Sequence, residues 1–265
     1  MSWQEVLGRV PFSNCDPIFQ GLEDRWGILP APPAWLTGHV IRRDCLTAPI
    51  PSADYAEHHE QLILIPDLGI VSRGDVGSVL LFGNRPIESM RDIALPSDSS
   101  TSKKLLEWIL DNRSIDPKTI EMGPDISSML ERCDGALLIG DRALSVAARD
   151  PGLVQLDLGS EWTRITGLPM VFGVFAIRRD TPIESVRRAR NDMLKQYRKF
   201  NDDEVWRGEV IMSTSLKSGL SEDRVAEYFS LEVENHLDSD AVRGLELFLS
   251  EACDMVARPE WVQLD

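Results

Sequence analysis

The sequence predicts an α/β fold whose strands are buried on both faces. Short apolar runs alternate along the chain with segments in which apolar residues recur at helical spacing, which favours parallel α/β construction. The runs are continuously apolar, as is typical of strands covered on both faces. A chain of 265 residues, 43% of them hydrophobic, can bury a large core in one domain or two smaller ones.

The predicted strands are apolar runs, most of them bounded by prolines or turn residues. In chain order they cover residues 62–65, 78–82, 92–95, 135–139, 154–158 and 170–177, and a further strand is predicted to end near Val10. Helices are predicted after a serine cluster near residue 102, over residues 185–199 and over residues 238–255. The last third of the chain is therefore predicted to be mostly helical.

This order of elements predicts two lobes joined by two crossings of the chain. Residues 1–95 and 176–265 would form one discontinuous lobe, and residues 96–175 would form the other. Two crossings make a hinge more natural than a single linker does, so we expect a ligand cleft between the lobes.

Charge and cysteine usage exclude several classes of function. The 43 acidic and 28 basic residues give a net charge of −15, which disfavours nucleic acid and anionic membranes as partners. No apolar run approaches the roughly 18 residues of a membrane helix, and the first residues lack a signal-peptide pattern, so we expect a cytoplasmic protein. The scattered Cys15, Cys45, Cys133 and Cys253 are predicted to be free thiols.

The segment Pro96-Ser-Asp-Ser-Ser-Thr-Ser102 is the most informative, because it joins a predicted strand to an amphipathic helix. Ser99, Ser100 and Thr101 suit the N-cap position. The free N–H groups of the first helical turn, together with the positive end of the helix dipole, can bind an anion. Helix capping alone is the alternative. The position at the carboxyl end of a strand, where ligands bind in α/β sheets, favours a site.

Other candidate positions carry weaker signals. Asn14 lies in a turn between two prolines and is either a turn residue or an amide presented to a ligand. Ser78 follows Gly77 at the start of a strand, where a small residue also suits a close backbone approach. Asp141 is predicted to cap the next helix. The run Glu-His-His-Glu at residues 57–60 points to several sides of a helix, so we predict no metal site.

An ordered set of segments carries a family resemblance. They are Gly8-Arg-Val-Pro-Phe-Ser-Asn-Cys-Asp-Pro17, Gly74-Asp-Val-Gly-Ser-Val-Leu-Leu-Phe82, Ser99-Ser-Thr-Ser102, Leu137-Leu-Ile-Gly-Asp-Arg-Ala-Leu144 and Asp157-Leu-Gly-Ser-Glu-Trp-Thr-Arg-Ile-Thr-Gly-Leu-Pro-Met-Val-Phe172. In these segments the chain resembles the chorismate dehydratases, the first enzymes of the futalosine route to menaquinone. The last segment is the most specific, and the resemblance spans most of the chain.

The resemblance implies a two-lobed type II periplasmic-binding-protein fold and the conversion of chorismate to 3-[(1-carboxyvinyl)oxy]benzoate by loss of water. It implies no metal or other cofactor. The functional asparagine and serine of the family match Asn14 and Ser78. The turn that grips the substrate matches the four residues Ser99, Ser100, Thr101 and Ser102.

Three further residues, Ile139, Gly140 and Phe172, are predicted to contact the substrate. The chain departs from the family pattern at Ser13, where a bulky apolar residue is usual, and at Ser100, where some members carry arginine.

None of the matched positions offers a histidine, so we expect a carboxylate of the substrate to take the ring proton while Asn14 and Ser78 hold it. The Ser/Thr turn would bind the other carboxylate, and Asp141 is the alternative base. A non-catalytic solute-binding or sensor module for a small carboxylate is the alternative function. A transcriptional effector domain is the third, although no DNA-binding segment accompanies it. A homodimer is left open.

Overall fold

The computed structural model describes residues 2–264, and its strands form three sheets. The strands are β1 (Val6–Arg9), β2 (Gly27–Pro30), β3 (Ala48–Pro51), β4 (Leu62–Ser72), β5 (Val79–Gly83), β6 (Asp92–Pro96), β7 (Lys118–Met122), β8 (Gly135–Ile139), β9 (Val154–Asp157), β10 (Met170–Arg178) and β11 (Glu234–Leu237). Each predicted run overlaps one of these strands, although Ser78 precedes β5 and Leu158 begins α7, so the strand pattern is confirmed to within one residue.

Helices connect the strands and make up most of the chain after β10. The α-helices are α1 (Asp16–Phe19), α2 (Pro33–Arg42), α3 (Ser52–His58), α4 (Ser100–Asn112), α5 (Ile126–Arg132), α6 (Gly140–Arg149), α7 (Leu158–Thr166), α8 (Ile183–Asp202), α9 (Glu204–Ser218), α10 (Glu222–Glu227) and α11 (Ser239–Glu251). A π-helical turn covers Tyr228–Glu232, and 3₁₀ turns cover Trp3–Glu5, Ser13–Cys15, Ile87–Ser89 and Pro151–Leu153.

One large sheet is antiparallel and the other mixes parallel and antiparallel strands, which corrects the prediction of parallel construction. The first has the order β11-β4-β10-β3, and its neighbouring strands are antiparallel. The short parallel pair of β1 and β2 adjoins it through a bridge from Leu7 to Thr47. The second has the order β7-β6-β8-β5-β9, with β6 parallel to its neighbours and β5 antiparallel to its own. Apolar runs indicate burial but not strand direction.

The chain passes between the two large sheets at residues 73–78 and again at residues 158–169. This differs from the predicted lobe boundaries in two respects. Strand β5 and most of β6 fall within residues 1–95 but lie in the second sheet. Strand β10 lies wholly in the first sheet, although the predicted return falls within it. An apolar run is buried equally well in either sheet, so composition does not reveal which sheet it joins.

Aromatic side chains join the lobes near the second crossing. The Trp162 ring, on α7, lies 4.9 Å from that of Trp108 on α4 and 6.0 Å from that of Phe248 on α11, centroid to centroid. Trp162 is fully buried, and its indole N–H donates to the carbonyl of Pro169. One apolar core therefore continues from the first lobe into the second.

Within residues 2–264, no helix is both long and apolar enough to span a membrane. The four cysteines are free thiols, as predicted.

Candidate active site

A cavity of about 60 Å³ lies between the two large sheets, and both lobes contribute to its walls. Its lining is mainly apolar, with a few neutral polar groups. The lining residues are Val10, Phe12, Asn14, Pro33, Pro49, Ile50, Pro51, Ile70, Val76, Ser78, Val79, Ser99, Thr101, Ser102, Ile139, Gly140, Phe172 and Gly173. The structure thus brings together all the residues predicted for the site except Ser100.

Ser100 lies outside the cavity, which corrects the prediction that it contacts the substrate. Its hydroxyl donates to the carboxylate of Asp54 on α3, on the far side of the helix start. The other oxygen of that carboxylate accepts from Thr37, 2.5 Å away. Burial raises the pKa of Asp54 in spite of these two donors. Ser100 therefore joins the two lobes instead of facing the cleft.

The start of α4 presents donors to the cavity. Ser99 is the N-cap residue, and its hydroxyl accepts from the N–H of Ser102 at 3.4 Å. Thr101 Oγ1 accepts from the N–H of Ala53 at 3.1 Å, so its own proton is free to bond elsewhere. The first-turn N–H groups of a helix have no intrahelical partner, and the dipole adds positive potential there. This end of the cavity is therefore suited to a carboxylate.

Ser78 is held in place by backbone contacts on both sides. Its N–H donates to Val76 at 2.6 Å, and its carbonyl accepts from Gly140 at 2.7 Å. The carboxylate of Asp157 accepts from the N–H groups of Val76, at 3.0 Å, and Gly77, at 2.8 Å. These bonds fix the turn before β5 and therefore the direction of the serine side chain.

Asn14 lies in a 3₁₀ turn that is anchored from two directions. Its carbonyl accepts from the amide of the buried Asn235, at 3.0 Å. Two residues later, the buried Asp16 accepts from Thr214 and Lys217 on α9, at 2.8 and 2.7 Å. The Oδ1 atom of Asn14 is buried and has no partner within the described residues. This acceptor is available for a hydroxyl or N–H group of a ligand.

Gly140 and Asp141 contact the turn that carries Asn14. Gly140 has φ +62°, and a Cβ atom there would lie 2.5 Å from the ring of Phe12. The carboxylate of Asp141 accepts from the N–H of Ser13 at 2.9 Å, and burial raises the pKa of this carboxyl group. Asp141 lies within the first turn of α6 and does not cap it, so the predicted capping role is wrong.

The lining of the cavity contains no charged side chain and no histidine or cysteine. Within residues 2–264 there is also no cluster of three or more histidine, cysteine or acidic side chains that could hold a metal ion. The cavity can therefore orient a ligand and stabilise its negative charge through neutral donors, but it offers no conventional base or nucleophile.

Sequence reasoning missed two groups of residues at this site. The first is the proline-rich wall formed by Pro33, Pro49 and Pro51, for which the Pro-Ile-Pro run was an available signal. The second is Tyr228, whose hydroxyl lies 3.0 Å from that of Ser78. No local pattern links two residues 150 positions apart.

Comparison with known proteins identifies relatives along almost the entire chain. A sequence model of the family described as menaquinone biosynthesis matches residues 6–254. The chorismate dehydratase of Thermus thermophilus is 31% identical over 223 residues, which cover 76% of this chain and 82% of that protein.

Solved structures of low sequence identity share the fold. A protein of Archaeoglobus fulgidus is 18% identical with a TM-score of 0.69, and the match covers 95% of this chain and 98% of that one. The periplasmic aliphatic sulphonate binding protein of Escherichia coli is 14% identical with a TM-score of 0.64, with 98% and 94% covered. The predicted periplasmic-binding-protein fold is confirmed.

Proposed function

This chain belongs to the menaquinone biosynthesis family, and from that premise we propose that it is a chorismate dehydratase. The reaction is the loss of water from chorismate to give 3-[(1-carboxyvinyl)oxy]benzoate, which makes the enzyme a carbon–oxygen lyase. One structural observation supports the proposal in addition to the family relationship. Asn14, Ser78 and the start of α4 line one cavity between the lobes, although they lie far apart in the sequence.

The chemistry of the substrate suits such a cavity. Chorismate carries two carboxylates, an enolpyruvyl ether and a ring hydroxyl. The reaction breaks one ring C–H bond and the C–O bond to that hydroxyl, and the ring becomes aromatic as water leaves. Because aromatisation drives the reaction, the protein mainly needs to orient the groups and stabilise charge.

We assign one carboxylate of the substrate to the start of α4. The first-turn N–H groups and the hydroxyls of Thr101 and Ser102 would neutralise it without a basic side chain. This arrangement supports binding of an anion by a protein of net charge −15. The amide N–H of Asn14 and the hydroxyl of Ser78 would donate to the second carboxylate.

The second carboxylate is the proton acceptor in this proposal. The lining lacks a side chain that could act as a base, which supports a substrate group in that role. Asp141, the alternative base, is outside the lining and accepts from the N–H of Ser13. The hydrogen-bonding groups of Asn14 and Ser78 would keep the acceptor carboxylate next to the ring proton.

Substrate entry would require the lobes to separate. Small-molecule sites enclose roughly 300 to 1,000 Å³, whereas this cavity holds about 60 Å³. We propose that residues 73–78 and 158–169, where the chain passes between the sheets, act as the hinge. The hydrogen bond from Ser100 to Asp54 and that from Ser13 to Asp141 would break on opening.

The test is incubation of the purified protein with chorismate, followed by chromatography and mass spectrometry of the products. The wild type should form the benzoate product. Asn14→Ala and Ser78→Ala should lower kcat by about a hundredfold or more, because the acceptor carboxylate would no longer be held next to the ring proton. The exposed Asn191→Ala and Ser250→Ala are matched controls and should keep kcat within about twofold.

Near-normal turnover in both site variants would overturn the residue assignment. Tight binding of chorismate without an aromatic product would favour the non-catalytic solute-binding module, which the family relationship does not favour. The cytoplasmic location and the homodimer stay predictions, and size-exclusion chromatography with light scattering tests the second.

A further inference from the structure

Tyr228 contacts a residue of the cavity lining without lining the cavity itself. It is 1% exposed and is not part of the cavity lining, yet its hydroxyl lies 3.0 Å from Ser78 Oγ. Both side chains are buried, and within the described residues neither hydroxyl makes another side-chain hydrogen bond. This bond links Tyr228 to a residue of the cavity lining.

The π-helical turn that begins at Tyr228 contacts the loop before β5 at two successive residues. Tyr228 bonds to Ser78, and Glu232, at the other end of the turn, lies against Gly77. A Cβ atom on Gly77, which has φ +62°, would come within 2.0 Å of the Glu232 carboxylate. Arg224 holds that carboxylate at 2.7 Å. Widened turns of this kind occur frequently at functional sites.

The direction of the hydrogen bond follows from the two hydroxyls. Burial raises the pKa of Tyr228, so the phenol keeps its proton. A phenol is more acidic than an aliphatic alcohol and is therefore the better donor of the pair. When Tyr228 donates, the Ser78 oxygen is the acceptor and its own proton must point elsewhere, with the cavity as the open direction. Such chained hydroxyls also polarise one another.

We propose that Tyr228 is a positioning residue, which fixes the Ser78 hydroxyl as a hydrogen-bond donor to a carboxylate bound in the cavity. The chemical class of the bound group follows from the proposed function, on which this inference rests. The bond from Tyr228 to Ser78 is independent of the ligand. Without the phenol, the serine proton could turn away from the ligand and bond to a neighbouring acceptor instead.

A double-mutant cycle tests the proposal. Tyr228→Phe, Ser78→Ala and the double variant are compared with wild type for kcat, KM and the Kd of chorismate. Tyr228→Phe should lower kcat/KM by about tenfold to a hundredfold, the range for a hydrogen bond to a charged group. In the Ser78→Ala background the same change should have no further effect, because the hydroxyl it positions is absent.

Tyr55→Phe is the matched control. Tyr55 is also fully buried, and its hydroxyl accepts from the N–H of Glu260 at 2.9 Å, away from the cavity. This variant should keep kcat/KM within about twofold. Urea unfolding of every variant separates a loss of folded protein from a loss of function.

Two outcomes overturn the proposal: wild-type kcat/KM in Tyr228→Phe, or an additive loss in the double variant, which indicates a purely structural role. If the wild type forms no aromatic product, the proposed function is wrong. The positioning role of Tyr228 is then tested by the Kd of chorismate alone. If Tyr228→Phe weakens chorismate binding in the wild type but not in the Ser78→Ala background, the positioning role is still supported.

Discussion

Replacing Gly140 by alanine tests whether the lobes close on the ligand as they do in this structure. The new Cβ would lie 2.5 to 2.8 Å from three carbon atoms of the Phe12 ring, on the other lobe. Placing a non-glycine residue at φ +62° costs about 1–2 kcal/mol whether the lobes are open or closed. The contact with Phe12 adds about 1–3 kcal/mol, typical of an overpacked site, in the closed state only.

The two costs should therefore appear in different measurements. Backbone strain lowers the free energy of unfolding in urea, whereas the contact raises the Kd of chorismate by roughly 5- to 150-fold in titration calorimetry. Gly219→Ala is the matched control, because Gly219, directly after α9, has φ +75° and a Cβ atom there meets nothing within 4 Å. It should lose similar stability and keep its Kd. Equal Kd values in the two variants would refute closure of Phe12 onto Gly140.

Three further changes probe the surroundings of the cavity. The buried Asp16 pairs with Arg9 and Lys217, and Asp16→Asn should cost about 3 kcal/mol of unfolding free energy in urea. The exposed Asp180→Asn is the control and should lose clearly less stability; similar losses would contradict the anchoring role. Ser102→Ala should raise the Kd of chorismate by about tenfold, whereas Ser100→Ala should change it less than about threefold. The reverse order of Kd values would instead support the prediction that Ser100 contacts the substrate. Burial raises the folded pKa of Asp141 above 3.8, so the associated stability is present below that pH and lost as pH rises through the folded value. Asp141→Asn should therefore gain unfolding free energy relative to wild type between about pH 4 and pH 7, and a constant difference would count against the raised pKa.

The local elements were predictable from the sequence because their signals are local. The strand β6, the serine cluster and the apolar stripe of α4 follow one another within 20 residues, and together they predicted a helix start at a strand end. The same segment shows where that reasoning stops. Successive helical residues point about 100° apart, so residues 99–102 cannot all face one cleft. Ser100 faces Asp54 because it lies on the opposite side of the helix start.

The assembly of the site was not predictable from local pattern. Family resemblance identifies Asn14 and Ser78, whereas spacing alone also fits a turn residue at Asn14 and a close backbone approach at Ser78. Their supports, Asn235 and Tyr228, come from the far end of the chain. The sheet to which a strand belongs was not predictable from the sequence either, because β5 fits the same burial pattern in both lobes. Only its pairing with β8 and β9 places β5 in the second sheet.

The discontinuity of the first lobe has a consequence for how the chain folds during synthesis. The second sheet uses only residues 79–157, so every strand it needs is available once that stretch has been made. The long, apolar β4 is made earlier but pairs with β10 and β11, which follow residue 169. Until then it is an unpaired edge of the kind that promotes aggregation. A chain stopped near residue 165 should therefore combine a formed second lobe with an exposed β4, and a circular permutant beginning near residue 79 would remove that delay.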